Sequence, residues 1–459
     1  MQSPSMARTS HLVLAVGVVW SIAASARAQC ADLPNSPPAL TALGCATYMS
    51  ESGGLYGNGV NARPPAHHAH VYEVASAVQP RAGRVVVASV GMSNASFQWK
   101  EFALSFTSRA DVRPELELVD GAWGGHPIDC FRSATAPGDP AYCASEPQAP
   151  SGNGWDNLDA RLAVRGLAPA DVQVVWLKHG VLGPSGDFPS SVATLEQLLA
   201  ETLRAARTRY PNLRLVYLSS RTHAYTTLSG NPEPYAYESA FAVRRIILRQ
   251  MAHDPALNDD PLIGPVVAPT VTWGPYLWAQ GTREDGYTWT AAHVRADDCT
   301  HPSSLGIAAV ADELTRFFTS DATAVRFVLA PGAVASPGRE LPSFSCSGGS
   351  ADAGIEPDAG MAVDAGMAVD AGEVGDAAIV EMGVGALELG VVPSDLGAPP
   401  ARDASVPPEH REVHGGCTAA VQRGAATNSG PIVFMLLCGC FARARHRRTT
   451  RASIHAEVN

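Results

Sequence analysis

A serine and an aspartate–histidine pair, separated by about two hundred residues, have the chemistry of a nucleophile and its base. Ser93 follows an apolar run that ends at Gly91, and Asp298 stands three residues before His301. A serine hydroxyl attacks an acyl carbon when a histidine takes its proton and a carboxylate orients that histidine. These residues therefore predict acyl transfer through Ser93, with His301 as base and Asp298 as its partner.

The segments that must position these residues alternate between strand-like and helix-like patterns. Strands are expected at 84–90, 115–119, 172–177, 213–218 and about 263–272, and helices at 191–209, 236–252 and 304–318. This alternation predicts right-handed βαβ units and a three-layer α/β/α sandwich with a mostly parallel sheet. Ser93 then lies at the carboxyl end of the first strand, the edge at which such sheets bind ligands.

Three short stretches resemble the blocks of the SGNH/GDSL hydrolase superfamily, in particular its carbohydrate-esterase, sialate O-acetylesterase-like branch. They are GMSN at 91–94, DGAWGG at 120–125 and DDCTHPSSLG at 297–306, within a resemblance that spans about residues 84–318. The resemblance implies a flavodoxin-like sheet and a Ser93–His301–Asp298 triad. It also implies hydrolysis of esters, often O-acetyl esters, with no metal or other cofactor.

Ester hydrolysis further requires hydrogen-bond donors for the oxyanion. The amides of Ser93 and Gly125 are the expected donors, and Gly125 is favoured over Gly124. In the family the third block supplies an asparagine side chain, but the stretch that follows the third predicted strand here, WLKHG at 176–180, has none. The side chains that could donate instead are those of Lys178, His179, Asn94 and Asn153.

Other residues at the same predicted edge are candidates for a substrate pocket. Lys178, His179 and Arg221 follow the third and fourth strands, and Trp278 belongs to an aromatic stretch of the type on which sugars stack. A structural role is the alternative for Arg221, and burial in the core is the alternative for Trp278. Three close histidines, His67, His68 and His70, suggest a metal site, but without carboxylate or cysteine partners they predict a surface loop or an entry to the active-site cleft.

Composition divides the chain into five parts. A signal peptide is predicted at 1–28, a loop-rich extension at 29–83, the hydrolase domain at 84–345, a disordered Asp-Ala-Gly-rich linker at 346–414 and a C-terminal segment at 415–459. Calcium binding by the aspartates is the alternative reading of the linker. The C-terminal segment, with Gly-Gly-Cys at 415–417, an apolar run and several arginines, resembles the sorting signals of myxobacterial surface proteins, and a weak membrane anchor is the alternative.

Export to an oxidising compartment permits disulfides. Nearest-neighbour pairing predicts Cys30–Cys45, Cys130–Cys143 and Cys299–Cys346 among fifteen connectivities. The formal net charge of −11 is concentrated in residues 351–400, which hold six Asp, four Glu and no Lys or Arg. The remainder of the chain is therefore close to neutral, and no basic patch favours nucleic acid.

These observations predict an exported serine esterase at the cell surface, associated with the outer membrane or extracellular. Its expected partner is an ester-bearing small molecule or polysaccharide, with transient or tail-mediated membrane association and no nucleic acid. The alternative is a catalytically impaired surface protein that binds carbohydrate on a hydrolase fold. The missing third-block asparagine motivates that alternative.

Overall fold

The computed structural model describes residues 30–147, 149–228, 230–342 and 344–346. Its helices are α1 (Pro65–Ser76), α2 (Ser93–Phe106), α3 (Gly154–Val164), α4 (Ser190–Arg209), α5 (Tyr235–Met251), α6 (Ser304–Ser320) and α7 (Val325–Val328). Its strands are β1 (Thr47–Tyr48), β2 (Glu51–Ser52), β3 (Val85–Gly91), β4 (Leu116–Asp120), β5 (Val172–Lys178), β6 (Leu215–Leu218), β7 (Thr270–Trp273), β8 (Gly281–Thr282) and β9 (Thr288–Trp289). The predicted signal peptide, the C-terminal segment and the linker after Cys346 lie outside the described residues.

Five strands form one parallel sheet with the spatial order β4-β3-β5-β6-β7. Numbered along the chain, this order is 2-1-3-4-5, which is the flavodoxin-like arrangement. The predicted α/β fold class is confirmed. The remaining strands form two short antiparallel pairs, β1 with β2 and β8 with β9.

Both faces of the sheet are buried beneath helices. On β3, Val85 and Val87 belong to a core cluster with α1, α2 and α6. The alternate residues Val86 and Val90 belong to a second cluster with α3, α4 and α5. Burial on both faces explains why β3, β5 and β6 carry apolar side chains at consecutive positions, since neither face requires polar side chains.

The three clustered histidines lie on helix α1, so the prediction of a surface loop or an entry to the active-site cleft is wrong. Pro65 takes the first helical position, where its missing N–H costs no hydrogen bond. His67 is buried on the inner face of the helix, and His70 Nε2 lies 2.8 Å from Asp259 Oδ2. Asp259 precedes β7, which puts this pair near the amino end of the sheet, opposite Ser93. No group of three or more His, Cys, Asp or Glu in the described residues has a metal-binding arrangement.

The described chain contains three disulfides, two of which join residues that are distant in sequence. Cys130–Cys143 is confirmed, but the other two predicted pairs are wrong, because Cys30 bonds Cys299 and Cys45 bonds Cys346. The N-terminal segment crosses the body of the domain, with Leu40 and Leu55 buried, and so meets loops that are remote in sequence. Three disulfides are compatible with an exported protein. Among the described residues, no helix has both the length and the apolar character to cross a bilayer.

Candidate active site

Ser93 is the first residue of α2, two positions after the last residue of β3. The turn between them requires glycine, because a Cβ on Gly91 would lie 2.3 Å from the carbonyl oxygen of Lys178 on neighbouring β5. This close approach lets the chain turn at the carboxyl end of the sheet. The Ser93 amide belongs to the first turn of a helix, where N–H groups have no intrahelical acceptor.

The loop before α6 brings Asp298 and His301 to Ser93. Ser93 Oγ lies 2.8 Å from His301 Nε2, and His301 Nδ1 lies 2.6 Å from Asp298 Oδ2. Asp298 Oδ1 accepts hydrogen bonds from the amides of Thr300 and His301, at 2.9 and 2.8 Å. Partial burial would raise the pKa of Asp298, but these amides and the His301 ring together hold it below its ordinary value. The carboxylate is therefore charged when it accepts from the imidazole.

Several contacts fix this loop to the rest of the domain. Cys299, which lies between Asp298 and His301 in sequence, forms a disulfide with Cys30. The Cys299 carbonyl also accepts a hydrogen bond from the amide of Tyr225 at 2.9 Å. The side chain of Ser303 caps α6 by accepting from the amide of Gly306 at 3.3 Å. The His301 side chain remains 37% exposed, so the loop that fixes its position leaves the ring open to solvent.

The glycine pair after β4 lies beside Ser93. A Cβ on Gly124 would lie 3.6 Å from Ser93 Cβ, whereas no atom lies within 4 Å of the same position on Gly125. Gly125 has φ +76°, a left-handed conformation that favours glycine. His126 Nδ1 donates to the carbonyl of Gly124 at 2.8 Å. Because C=O and N–H point in opposite directions across a trans peptide, this bond directs the Gly125 amide away from His126.

The asparagines considered as oxyanion donors both have structural partners. Asn94 Nδ2 donates to the carbonyl of Thr300 at 3.1 Å and so connects α2 to the Asp298–His301 loop. Asn153 caps α3 through its side-chain oxygen, and its Nδ2 donates to the carbonyls of Ser133 and Ala136. Asn94 therefore positions the loop that carries the base, and Asn153 is occupied elsewhere.

Lys178 and His179 are both buried where β5 ends. Lys178 Nζ donates to Gln98 Oε1 at 3.0 Å, and burial, together with the nearby Arg221 charge, holds the pKa of Lys178 well below its ordinary value. The amide of Gly180 donates to His179 Nδ1 at 3.0 Å. Burial lowers the pKa of His179 to about 3, so its ring is neutral at physiological pH.

Arg221 and Trp278 are also buried, which corrects the prediction that Trp278 offers a surface to a sugar. Trp278 is 1% exposed, packs against the rings of His223 and Tyr237, and donates its Nε1–H to Glu233. Arg221 is 8% exposed. Its pKa is lowered to about 10 by burial, a shift that the Glu233 carboxylate partly opposes.

Glu233, which contacts Trp278, is a buried carboxyl group whose pKa makes the stability of the fold depend on pH. Burial raises its pKa to about 7, despite hydrogen bonds from Trp278 Nε1 and from the amides of Tyr237 and Ala224. Its ordinary pKa is 4.5, so the folded state binds a proton more tightly than the unfolded state. The contribution of protonated Glu233 to the free energy of unfolding is complete below pH 4.5 and is lost as the pH rises to about 7.

We expect Glu233→Gln to remove this part of the pH dependence, because glutamine does not titrate. The wild type should lose about 3 kcal/mol more than the variant between pH 4.5 and pH 7.5. Denaturant titrations of both proteins across this range measure the difference in the free energy of unfolding. Parallel curves for the two proteins would show that folding does not raise the pKa of Glu233.

Two positioning residues were not identified from the sequence. Asp120 at the end of β4 accepts hydrogen bonds from Ser89 Oγ on β3 and Ser96 Oγ on α2, at 2.8 and 2.6 Å, and so aligns the helix that begins with Ser93. His126 holds the Gly124 peptide, as described above. The DGAWGG stretch contained the signal for Asp120, since an aspartate at a strand end can bond to the adjacent helix.

Similarity to known proteins is remote. No family model and no curated protein matches the chain. The solved structures to which the chain is similar include protein YXIM_BACsu from Bacillus subtilis, with 11% identity and TM-score 0.26. They also include the acetyl xylan esterase Est2A from the rumen bacterium Butyrivibrio proteoclasticus, with 10% identity and TM-score 0.27. Each match covers 52% of this chain, and 57% and 64% of those chains respectively, so this chain spans less than two thirds of either.

Proposed function

We propose that this chain is an exported serine esterase of the SGNH type that hydrolyses ester bonds, including O-acetyl esters on carbohydrate. The observation that carries the proposal is the continuous hydrogen-bonded path from Ser93 Oγ through His301 to Asp298. The path lies at the carboxyl edge of a flavodoxin-like sheet, where α/β proteins bind their ligands. A serine, a neutral base and an orienting carboxylate in this order are what nucleophilic acyl transfer requires.

In the proposed reaction, Ser93 Oγ attacks the ester carbonyl carbon while His301 Nε2 accepts its proton. Asp298 stabilises the imidazolium through Nδ1. The tetrahedral intermediate then expels the alcohol, which takes the proton from His301 and leaves the acyl group on Ser93. A water molecule gives a proton to the same nitrogen, attacks the acyl-enzyme and releases the acid, and the proton returns to Ser93.

The oxyanion is proposed to bind the backbone amides of Ser93 and Gly125. In the described residues, the Gly125 amide has no protein acceptor. Asn94 keeps a second N–H on Nδ2 beyond the one given to Thr300, and is the side chain proposed to assist. Preorganised donors of this kind stabilise the transition state because they need no reorientation during the reaction.

The proposed partners follow from an open site on an exported protein. The substrate is an ester-bearing small molecule or polysaccharide, and the predicted C-terminal segment retains the protein at the cell surface through transient or tail-mediated membrane contact. No nucleic-acid partner is proposed.

Purified protein should hydrolyse p-nitrophenyl acetate and should be labelled covalently by a fluorophosphonate, because both reagents need only an activated serine. The rival function is carbohydrate binding without turnover. Two observations favour it: the third block has no asparagine, and Lys178 Nζ already donates its hydrogen bond to Gln98. Folded protein that binds acetylated xylan but neither hydrolyses the ester nor takes up the label would establish the rival.

A further inference from the structure

The loop before α6 holds Cys299 in a backbone conformation that its side chain disfavours. Its φ is +54°, in the left-handed region, where the Cβ of a residue other than glycine comes too close to the following carbonyl oxygen. Asparagine and aspartate tolerate this region by bonding to the local backbone, but the Cys299 sulfur is committed to a disulfide. An interaction from outside the loop is therefore needed to hold this conformation.

The conformation of Cys299 decides whether Asp298 reaches the base. Asp298 Oδ1 accepts hydrogen bonds from the amides of Thr300 and His301, and Asp298 Oδ2 lies 2.6 Å from His301 Nδ1. Cys299 lies between the carboxylate and both amides in the chain. Because φ and ψ are the soft torsions of the backbone, a change at Cys299 moves both amides and the imidazole away from the carboxylate together. The left-handed turn is therefore part of the geometry of the triad.

The Cys30–Cys299 disulfide is a covalent tie on this turn. Cys299 is 4% exposed, and its partner Cys30 packs against the core cluster that covers one face of the sheet. Other ties, such as those from the Tyr225 amide and Asn94 Nδ2, are single hydrogen bonds to backbone carbonyls of the loop. Each contributes little net stability, because the groups of a displaced loop bond to water instead. The disulfide restricts the loop by a bond that water does not replace.

The two sulfurs of this bond differ in their exposure to reagents. Cys30 is partly exposed whereas Cys299 is buried, so a thiol attacks Cys30 Sγ first. With dithiothreitol, the attack forms a mixed disulfide on Cys30 and releases the Cys299 sulfur, which takes a proton. The second thiol of the reagent then closes a cyclic disulfide and releases Cys30 as a thiol. The two cysteines gain two electrons and two protons from the dithiol, and a small-molecule disulfide such as oxidised glutathione reverses the reaction.

We propose that the Cys30–Cys299 disulfide holds Cys299 in the left-handed conformation and so positions Asp298 and His301, and that reduction of this bond switches the esterase off. Cys299 is a positioning residue, because it acts through Asp298 and His301. The inference rests on the proposed esterase function and adds a dependence on redox state to it. Activity then appears where disulfides form, outside the reducing cytoplasm.

The first test removes the disulfide by Cys30→Ala/Cys299→Ala in the full-length protein. We expect kcat for p-nitrophenyl acetate to fall about fivefold to thirtyfold, because the strained turn then relaxes, while KM stays within about threefold of wild type. The matched control is Cys45→Ala/Cys346→Ala, which removes a bond between residues 301 positions apart, compared with 269 for Cys30–Cys299. The control loses similar stability but should keep kcat within about threefold of wild type. Equal losses in the two variants would overturn the proposal.

A glycine variant separates the backbone role of Cys299 from general support of the fold. Glycine adopts positive φ without the Cβ penalty, so Cys30→Ala/Cys299→Gly should form the turn without the disulfide. We expect its kcat to lie within about threefold of wild type. Thermal unfolding shows whether each variant is folded before the kinetics are compared. A folded glycine variant as slow as the alanine variant would contradict the role of Cys299.

Reduction of the wild type tests the same bond without a substitution. Activity in dithiothreitol should fall in step with loss of the Cys30–Cys299 bond, which peptide mass spectrometry of alkylated aliquots distinguishes from the other two disulfides. Oxidised glutathione should restore both the bond and the activity in the remaining protein. Full kcat in protein whose Cys30–Cys299 bond is reduced would overturn the proposal.

A spectroscopic measurement separates failure of this inference from failure of the esterase function. The proton on His301 Nδ1 should give a low-field NMR resonance when it bonds to Asp298, and His301→Gln identifies that resonance by its absence. We expect the resonance in wild type and in the glycine variant, and its loss in the alanine variant. That pattern without turnover by the wild type would keep Cys299 as a positioning residue and reject the esterase. An unchanged resonance in the alanine variant would overturn the proposal.

Discussion

Replacing Ser93 with alanine is expected to lower kcat for p-nitrophenyl acetate by about 10⁴- to 10⁶-fold. The substitution removes the only hydroxyl that lies 2.8 Å from His301 Nε2 in the described residues, so no acyl-enzyme can form through this base. Fluorophosphonate labelling should disappear as well. Steady-state kinetics and mass spectrometry of the labelled protein measure the two effects.

The matched control is Ser105→Ala on the same helix. Ser105 is exposed and its hydroxyl bonds only to backbone carbonyls of its own turn, so kcat should stay within about threefold of wild type. Full turnover in folded Ser93→Ala would refute the proposed mechanism.

Asp298→Asn should reduce kcat by about 10³- to 10⁴-fold without unfolding the loop. The asparagine oxygen can still accept from the amides of Thr300 and His301, but its NH₂ group then faces His301 Nδ1 and forces the proton onto Nε2. In that tautomer Nε2 no longer accepts the proton of Ser93. The kinetic parameters with p-nitrophenyl acetate give the size of the loss.

The adjacent Asp297 offers a control that changes the same charge. Its side chain is exposed, so Asp297→Asn should leave kcat within about threefold of wild type. If the two variants lost activity equally, the effect would come from the charge of the loop, and the assignment of Asp298 as the partner of His301 would fail.

The central sheet and the Ser93–Asp298–His301 cluster were predictable because their signals are local or depend only on strand order. Apolar runs buried on both faces mark the strands, and Asp298 and His301 belong to one short loop. The carboxyl ends of parallel strands share an edge, so residues after β3 and before α6 were expected to meet there. Their mutual distances follow from the structure alone.

The path of the N-terminal segment was not predictable. Helix α1 buries only His67, Val71 and Ala75, which is too little apolar periodicity to identify it. Two of the disulfides join residues 269 and 301 positions apart. Nearest-neighbour pairing succeeded only for Cys130 and Cys143, which are 13 positions apart.

The burial of individual side chains at the sheet edge could not be predicted from the sequence either. Trp278 and Arg221 were both candidates for a ligand-facing surface, and the sequence contains no signal that distinguishes a residue inside the edge from one on it. Trp278 packs among rings, whereas Arg221 keeps an unsatisfied Nε. The difference arises from neighbours contributed by several loops, including Gly180 and Asn231.

The Cys45–Cys346 disulfide determines how a mechanical load would pass through the protein. A pulling force between residues 30 and 346 travels along the backbone from Cys30 to Cys45 and crosses the bond to Cys346. The Cys30–Cys299 disulfide provides a second covalent path, from Cys30 through Cys299 and along residues 299–346, and His301 lies on it. The whole sheet and Ser93 lie in residues 46–298, outside these two paths. A force between residues 30 and 346 would therefore bypass the sheet but reach the loop that carries His301.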